Sequence, residues 1–161
     1  MARLVLLVVL TVLAPVVQAA ERLALFPFEL INTSLEPTRP DEAARLQALT
    51  GQAGERLAAA GYQLVDTTPV AQQVAGIGSL QGCNGCDLDL ARKLGADLAG
   101  VGWVQKVSNL ILNLNLQVRD VATGQVVAAG SVDIRSNTDE SWRRGLLYLL
   151  DNRILPRLQP G

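Results

Sequence analysis

Residues 109–121, NLILNLNLQVRDV, alternate apolar and polar side chains with a strict period of two. Leu110, Leu112, Leu114, Leu116 and Val118 fall on one face. Ile111, Asn113, Asn115, Gln117 and Arg119 fall on the other. Successive side chains of a strand point to opposite faces, so this pattern specifies a β-strand with a core face and a largely polar face. After it, ATGQ is a turn and VVAAGSVDIR (126–135) returns as a hairpin partner. Before it, LAGVGWVQKVS (98–108) is a further strand. The stretch from Leu110 to Val121 is therefore expected to be the central strand of a sheet.

The first half of the chain alternates strands and helices. LALFPFEL (23–30) is apolar enough for a buried strand, and Pro27 inside it calls for an edge or a bulge there. INTSLEPTRP is a polar loop. A helix then begins near Pro40 or Asp41, whose side chains suit a first turn. Leu46, Leu49, Ala53, Leu57 and Ala60 recur at spacings of three and four and form its apolar face, with Gly61 as the end signal. YQLVD (62–66) reads as a short strand, and TPVAQQVAG as a short helix. CDLDLARKLGAD reads as another, ending at Gly95. The chain closes with a helix from about Thr138 to Leu158, striped by Trp142, Leu146, Leu149, Leu150 and Ile154. A βα start implies a parallel crossover and the closing hairpins are antiparallel. The expectation is one α/β domain, a mixed sheet of about five strands with helices packed on it.

Residues 1–19 differ from the rest. Arg3 precedes an apolar run from Leu4 to Leu13, and Val17-Gln18-Ala19 fits a small-residue cleavage site. This is the pattern of a secretory signal peptide, and a run of about ten residues is half of what a bilayer span needs. Cleavage after Ala19 would leave residues 20–161 as a periplasmic domain without a membrane span. That domain would carry thirteen basic residues, Arg3 being lost, against fifteen acidic ones. It contains no basic run, which argues against nucleic acid as a partner.

The chain has no histidine. That removes the commonest general base and metal ligand, and Ser-His-Asp and Cys-His arrangements with them. Cys83 and Cys86 are its only cysteines, spaced CxxC in GSLQGCNGCDLDLARKLGAD. Asp87 follows Cys86, so the c-type haem motif is absent, and two thiols alone do not make a zinc site. The chain is thus read with no catalytic residue, metal or cofactor. Two readings of the cysteines remain: a local disulfide formed in an oxidising compartment, or a thiol-disulfide centre at a helix start. Asp87 and Asp89 oppose thiolate formation and favour the disulfide. GIGSLQGCNG fits neither phosphate-binding glycine pattern and is a loop. The row Asn113, Asn115, Gln117 and Arg119 is a solvated sheet face or a partner surface. Asp139 and Glu140 suit a helix start, while Trp142, and Trp103 in part, are expected to anchor the core.

GWVQKVSNLILN and RSNTDESWRRG, with CNGCDLDLARKLGAD, resemble a bacterial family of secreted proteins of unknown function. Some of its members lie beside genes for quinoprotein alcohol dehydrogenases. More distantly, LALFPFEL, the helix after it, YQLVD, GADLAGVGWV and the TG hairpin resemble the amino-terminal domain of TolB. The same layout occurs in the penicillin-binding-protein activator LpoB and the curli secretion protein CsgG. The resemblance implies a TolB amino-terminal-like fold and a non-enzymatic module that binds a periplasmic or envelope protein. A small-ligand or cofactor carrier is the alternative, beside the thiol-disulfide protein. Trp103, Lys106, Asn109, Asn137, Asp139 and Arg143 are the candidate contact region. They fall at strand ends and at the start of the last helix, in the two stretches most like the family.

Overall fold

In the computed structural model, which describes residues 20–158, the chain runs β1 (Arg22–Leu25), β2 (Glu29–Asn32), α1 (Pro40–Ala59), β3 (Gln63–Leu64), a 3-10 turn (Thr68–Val70), α2 (Ala71–Ile77), α3 (Cys86–Lys93), β4 (Leu98–Lys106), β5 (Ile111–Asp120), β6 (Val126–Arg135), α4 (Asp139–Leu149), a π-helical turn (Leu150–Ile154) and α5 (Leu155–Leu158). The strands form one six-stranded mixed sheet in the order β3-β1-β4-β5-β6, with β2 also paired to β4. Strands β1 and β2 lie parallel to β4, while the β4–β5 and β5–β6 pairs are antiparallel. The signal-peptide reading of 1–19 lies outside the described residues.

The sixth strand comes from the proline. LALFPFEL does not run as one strand, because Pro27 interrupts it. Leu25 pairs with Gly100 and Glu29 with Trp103, so four steps on this side meet three on β4. That is a one-residue bulge, and it flips the facing of the chain. Leu23 and Leu25 point into the main core before it, and Phe28 after it. The Phe28 ring lies across Gly102 of β4, where a Cβ would stand 2.3 Å from the ring. Only a glycine at 102 leaves the ring its place.

The central position belongs to β4, not to the strand read from 110–121, which is next to it. A mixed sheet explains the change: β4 takes parallel partners on one side and the antiparallel hairpin on the other, and the linear sequence shows only the hairpin. The alternation itself holds along β5, where Leu112, Leu114, Leu116 and Val118 are buried. It stops at its start, because Leu110 and Ile111 are exposed. There the chain turns tightly, with the N–H groups of Val107 and Ser108 both donating to the Ile111 carbonyl.

The β5 core row packs with Val104, Ala128 and Ile134 under α1 and α4. Leu49, Ala53 and Leu57 of α1 face it; Ala60, expected on the same stripe, is exposed because it caps the helix end. Gly61 follows with φ of +100°. The Tyr62 N–H reaches the Leu57 carbonyl at 3.2 Å and the Gly61 N–H the Ala58 carbonyl at 3.0 Å, a Schellman stop. Trp142, Leu146, Leu149, Leu150 and Ile154 are all buried, as the stripe requires. The Thr138 hydroxyl caps α4 by accepting the Ser141 N–H.

A second, smaller core lies on the other sheet face. Ala24, Phe26, Ala99 and Val101 meet Val70, Leu80, Leu90 and Ala91 from the 68–94 segment. This layer covers the β1–β4 half only. Ser131 and Asp133 of β6 on that face remain exposed.

Candidate functional site

Three loops gather at one end of the sheet: the 33–39 segment after β2, the 107–110 turn between β4 and β5, and the 136–138 segment before α4. Backbone bonds lace them together. Thr33 N–H donates to the Lys106 carbonyl at 2.9 Å and Asn137 N–H to the Asn109 carbonyl at 2.9 Å. The Asn109 N–H donates to the Glu36 carboxylate at 2.9 Å.

Beneath the loops is a buried polar network. Lys106 and Glu42 form an ion pair of 2.8 Å, and both side chains are 0% exposed. The Lys106 ammonium also donates to the Pro37 carbonyl at 3.2 Å. Glu42 accepts from the Arg39 N–H at 2.8 Å and from the Asn137 amide at 2.5 Å. The same amide donates to the Asn109 side chain at 3.1 Å. Arg45, one turn along α1, donates to Asn137 at 3.0 Å, Asp41 at 2.7 Å and Asp139 at 2.6 Å. Its guanidinium lies 5.9 Å from the centre of the Trp142 ring. Burial works to raise the Glu42 pKa, but the bonds from Lys106, the Arg39 N–H and Asn137 outweigh it and hold the carboxyl below the usual range. Glu42 is thus an ionised anchor whose oxygens are occupied, not a poised base.

Beside this network a cleft of 660 Å³ runs between α1 and α4, bordered by Ala48, Gln52, Trp142 and Arg143. Above it the loops present apolar side chains to solvent. Leu35 is 107% and Leu110 70% exposed, and Val107 and Ile111 are exposed beside Leu110. Exposed large apolar side chains on and beside fastened loops are the unusual feature of this surface.

The candidate residues divide in three. Asn109, Asp139 and Arg143 lie at this end, with Asp139 and Arg143 exposed. Lys106 and Asn137 belong to the same end but are buried, and their side chains fasten the loops. Trp103 is on the opposite sheet face, packed against the second core. The reason is parity: on β4 the even positions face α1 and α4, so Lys106 points inward and Trp103 away. Glu42 and Arg45 are not among the sequence candidates. Glu42 stands four residues before Leu46, on the inward stripe of α1, and Lys106 stands at an inward position of β4. A buried carboxylate and a buried lysine demand each other, and that is the signal that pairs them.

Cys83 and Cys86 are joined as a disulfide, with Cα atoms 5.7 Å apart. Cys86 opens α3, and both cysteines pack on the second core. The loop is also fastened without them. Glu29 accepts from the Ser79 hydroxyl at 2.9 Å and the Leu80 N–H at 2.5 Å, and buried Asp87 pairs with Arg119 at 3.0 Å. Arg119 is therefore tied to α3 and is not part of a free polar face. Replacing both cysteines with serine should cost no more than about 2 kcal/mol, because so short a loop restricts the unfolded chain little. A urea melt checks this, and turnover in an insulin-reduction assay, lost in that variant, would instead make the pair a redox centre. Among the described residues no three His, Cys, Asp or Glu side chains converge to hold a metal ion.

The chain belongs to the family DUF3280, described as "Protein of unknown function (DUF2380)", whose model matches residues 21–154. No curated protein matches it. Its fold is shared with solved structures. The LpoB C-terminal domain from Salmonella enterica aligns with a TM-score of 0.54 and 20% identity, covering 76% of this chain and 88% of that one. A PelC dodecamer from Paraburkholderia phytofirmans aligns with a TM-score of 0.52 and 16% identity, covering 91% and 94%. Lipoprotein GNA1162 from Neisseria meningitidis aligns with a TM-score of 0.51 and 19% identity, covering 81% and 90%. At these identities the likeness is one of fold: an LpoB-like α/β domain. Among the described residues no helix is long and apolar enough to cross a membrane.

Proposed function

We propose that the protein is a non-enzymatic, exported accessory module that binds a periplasmic or envelope protein through the loop end of its sheet. One observation carries this reading. Leu35, Val107 and Leu110 are held out to solvent on loops that a buried ion pair and its amides lock from below, with Ile111 exposed at the adjoining start of β5. Exposing such side chains lowers solubility, and fixing them in place reduces the ordering cost of binding. Asn109, Asp139 and Arg143 supply the polar rim. The absence of histidine in the chain and the engagement of Glu42 and Arg45 within the network weigh against a catalytic centre there. The resemblance to envelope modules points the same way. A quinoprotein dehydrogenase is a candidate partner on the gene neighbourhood of the family.

The test is a crosslinking pull-down from periplasm with the tagged chain, repeated with Leu35→Asp, Leu110→Asp and Arg143→Glu. All three positions are exposed, so the variants should keep their melting temperature. Loss of one specific protein with Leu35→Asp and Leu110→Asp, and its weakening with Arg143→Glu, is the expected result. A partner retained by all three would overturn the site. A small molecule that copurifies with the chain, with no protein partner, would turn the reading to a carrier.

A further inference from the structure

Strand β6 ends the sheet, and among the described residues no strand pairs with its outer side. Which backbone groups lie on that side follows from the ladder. The Ser136 N–H donates to the Leu110 carbonyl, while Arg135 stands opposite Ile111. Bonded and non-bonded positions alternate in an antiparallel pair. Residues 130, 132 and 134 therefore bond β5, and Ala129, Ser131, Asp133 and Arg135 turn their N–H and C=O groups outward. Among the described residues only the Arg135 carbonyl has a partner there, the Ser141 hydroxyl of α4. A cleft of 720 Å³ separates this stretch from α4, bordered by Val132, Arg135, Arg144 and Tyr148, so the helix does not seal the edge. Natural edges are blunted by proline, charged side chains (lysine above all), bulges or a covering element, and the charges of β6 are one of each sign, Asp133 and Arg135. β6 has neither proline nor lysine, and the register break that opposes Val118 and Arg119 is confined to its first residues.

We infer that this edge is a self-association site, at which a second copy adds its own β6 antiparallel across a two-fold axis. The occupant follows from the row itself. With Val132 at the axis, Ala129 of one copy faces Arg135 of the other and Ser131 faces Asp133. All four outward positions are matched and no like charges stand directly opposite, while Ser131 and Asp133 keep their own bonds to Asn113. A two-fold interface must be complementary to itself, and this row meets that condition. The inference goes beyond the partner reading and does not rest on it.

The test is sedimentation of residues 20–161 over a concentration series, for the native chain and for Ser131→Pro. A proline at 131 deletes an outward N–H and no backbone bond to β5, as edge prolines do; it also removes the exposed bond from the Ser131 hydroxyl to Asn113, which Ser131→Ala removes alone and so controls for. The proline should leave the melt and the near-ultraviolet spectrum unchanged. It should weaken dimerisation by at least about tenfold, since two symmetric hydrogen bonds are lost and the ring intrudes. Amide exchange gives a second readout that needs no variant: the N–H groups of Ala129, Ser131 and Asp133 should gain protection as concentration rises. A native chain that is monomeric throughout would overturn the proposal. So would a dimer that Ser131→Pro leaves intact, a dimer whose three amides stay unprotected, or one that Leu110→Asp disrupts and Ser131→Pro does not.

Discussion

Leu114→Asp is expected to leave the chain unfolded at room temperature. Leu114 is fully buried in β5, between Val104 of β4 and Val132 of β6 in the ladder. Its Cδ2 lies 3.7 Å from where a Cβ on Gly145 of α4 would stand, so strand and helix touch there without slack. Truncating such a leucine costs about 2–5 kcal/mol, and a carboxylate without a partner in that place adds several more. The sum reaches the whole stability of an ordinary domain, about 5–15 kcal/mol. Gln117→Asp is the control: the same carboxylate, on the other face of the same strand, opposite Ala129. It should shift stability by no more than about 1 kcal/mol. Circular dichroism with a thermal melt separates the two. A Leu114→Asp protein that melts like the native one would mean that the inner face of β5 is wrongly assigned.

That prediction needs only the sequence, because period-two alternation over 112–118 exposes which side of the strand is dry. The helical stripe of α4 is legible for the same reason, and so is the stop at Gly61. What the sequence hides are pairings between distant segments. The bulge at Pro27 could be suspected from proline chemistry. That its two halves share one neighbour, with β2 continuing beside β4 past the end of β1, is a matter of register and not of composition. The contact region shows the limit most clearly. Lys106, Asn109, Asn137 and Asp139 all stand at element ends, and the structure places them at one end of the sheet. Polar residues near loops look alike in sequence whether they face water or anchor a loop from within. Deciding between these takes facing: Lys106 shares the inward parity of Leu98 and Val104, and Glu42 shares the stripe of Leu49 and Leu57. Leu110 is misleading in the opposite sense, an apolar residue that the alternating pattern assigns to the core and the loop holds in water.

The buried pair makes the sharpest energetic claim. Lys106→Ala should destabilise the domain by about 3–5 kcal/mol at neutral pH, because it strands a buried carboxylate that had been built for a cation. The loss should depend on pH with a definite sign. In the native protein Glu42 titrates below its ordinary value near 4.5, despite burial, because Lys106, the Arg39 N–H and Asn137 favour the charged form. A depressed carboxyl contributes stability that is complete above its unfolded pKa and disappears as pH falls through the folded one. The native chain should therefore weaken below about pH 4.5. Without Lys106, burial meets less opposition and the Glu42 proton is held more tightly. The variant then loses less on acidification, and the gap between the two proteins should narrow as pH falls from 7 to 4. Urea melts at both pH values measure this. Combining Lys106→Met with Glu42→Gln should restore part of the loss at pH 7: no buried charge remains, but the single amide oxygen can keep only one of the bonds that Arg39 and Asn137 make to the two carboxylate oxygens. A gap that stays constant with pH, or a double variant as weak as Lys106→Ala alone, would show that the ion pair is not what fastens the loops at this end of the sheet.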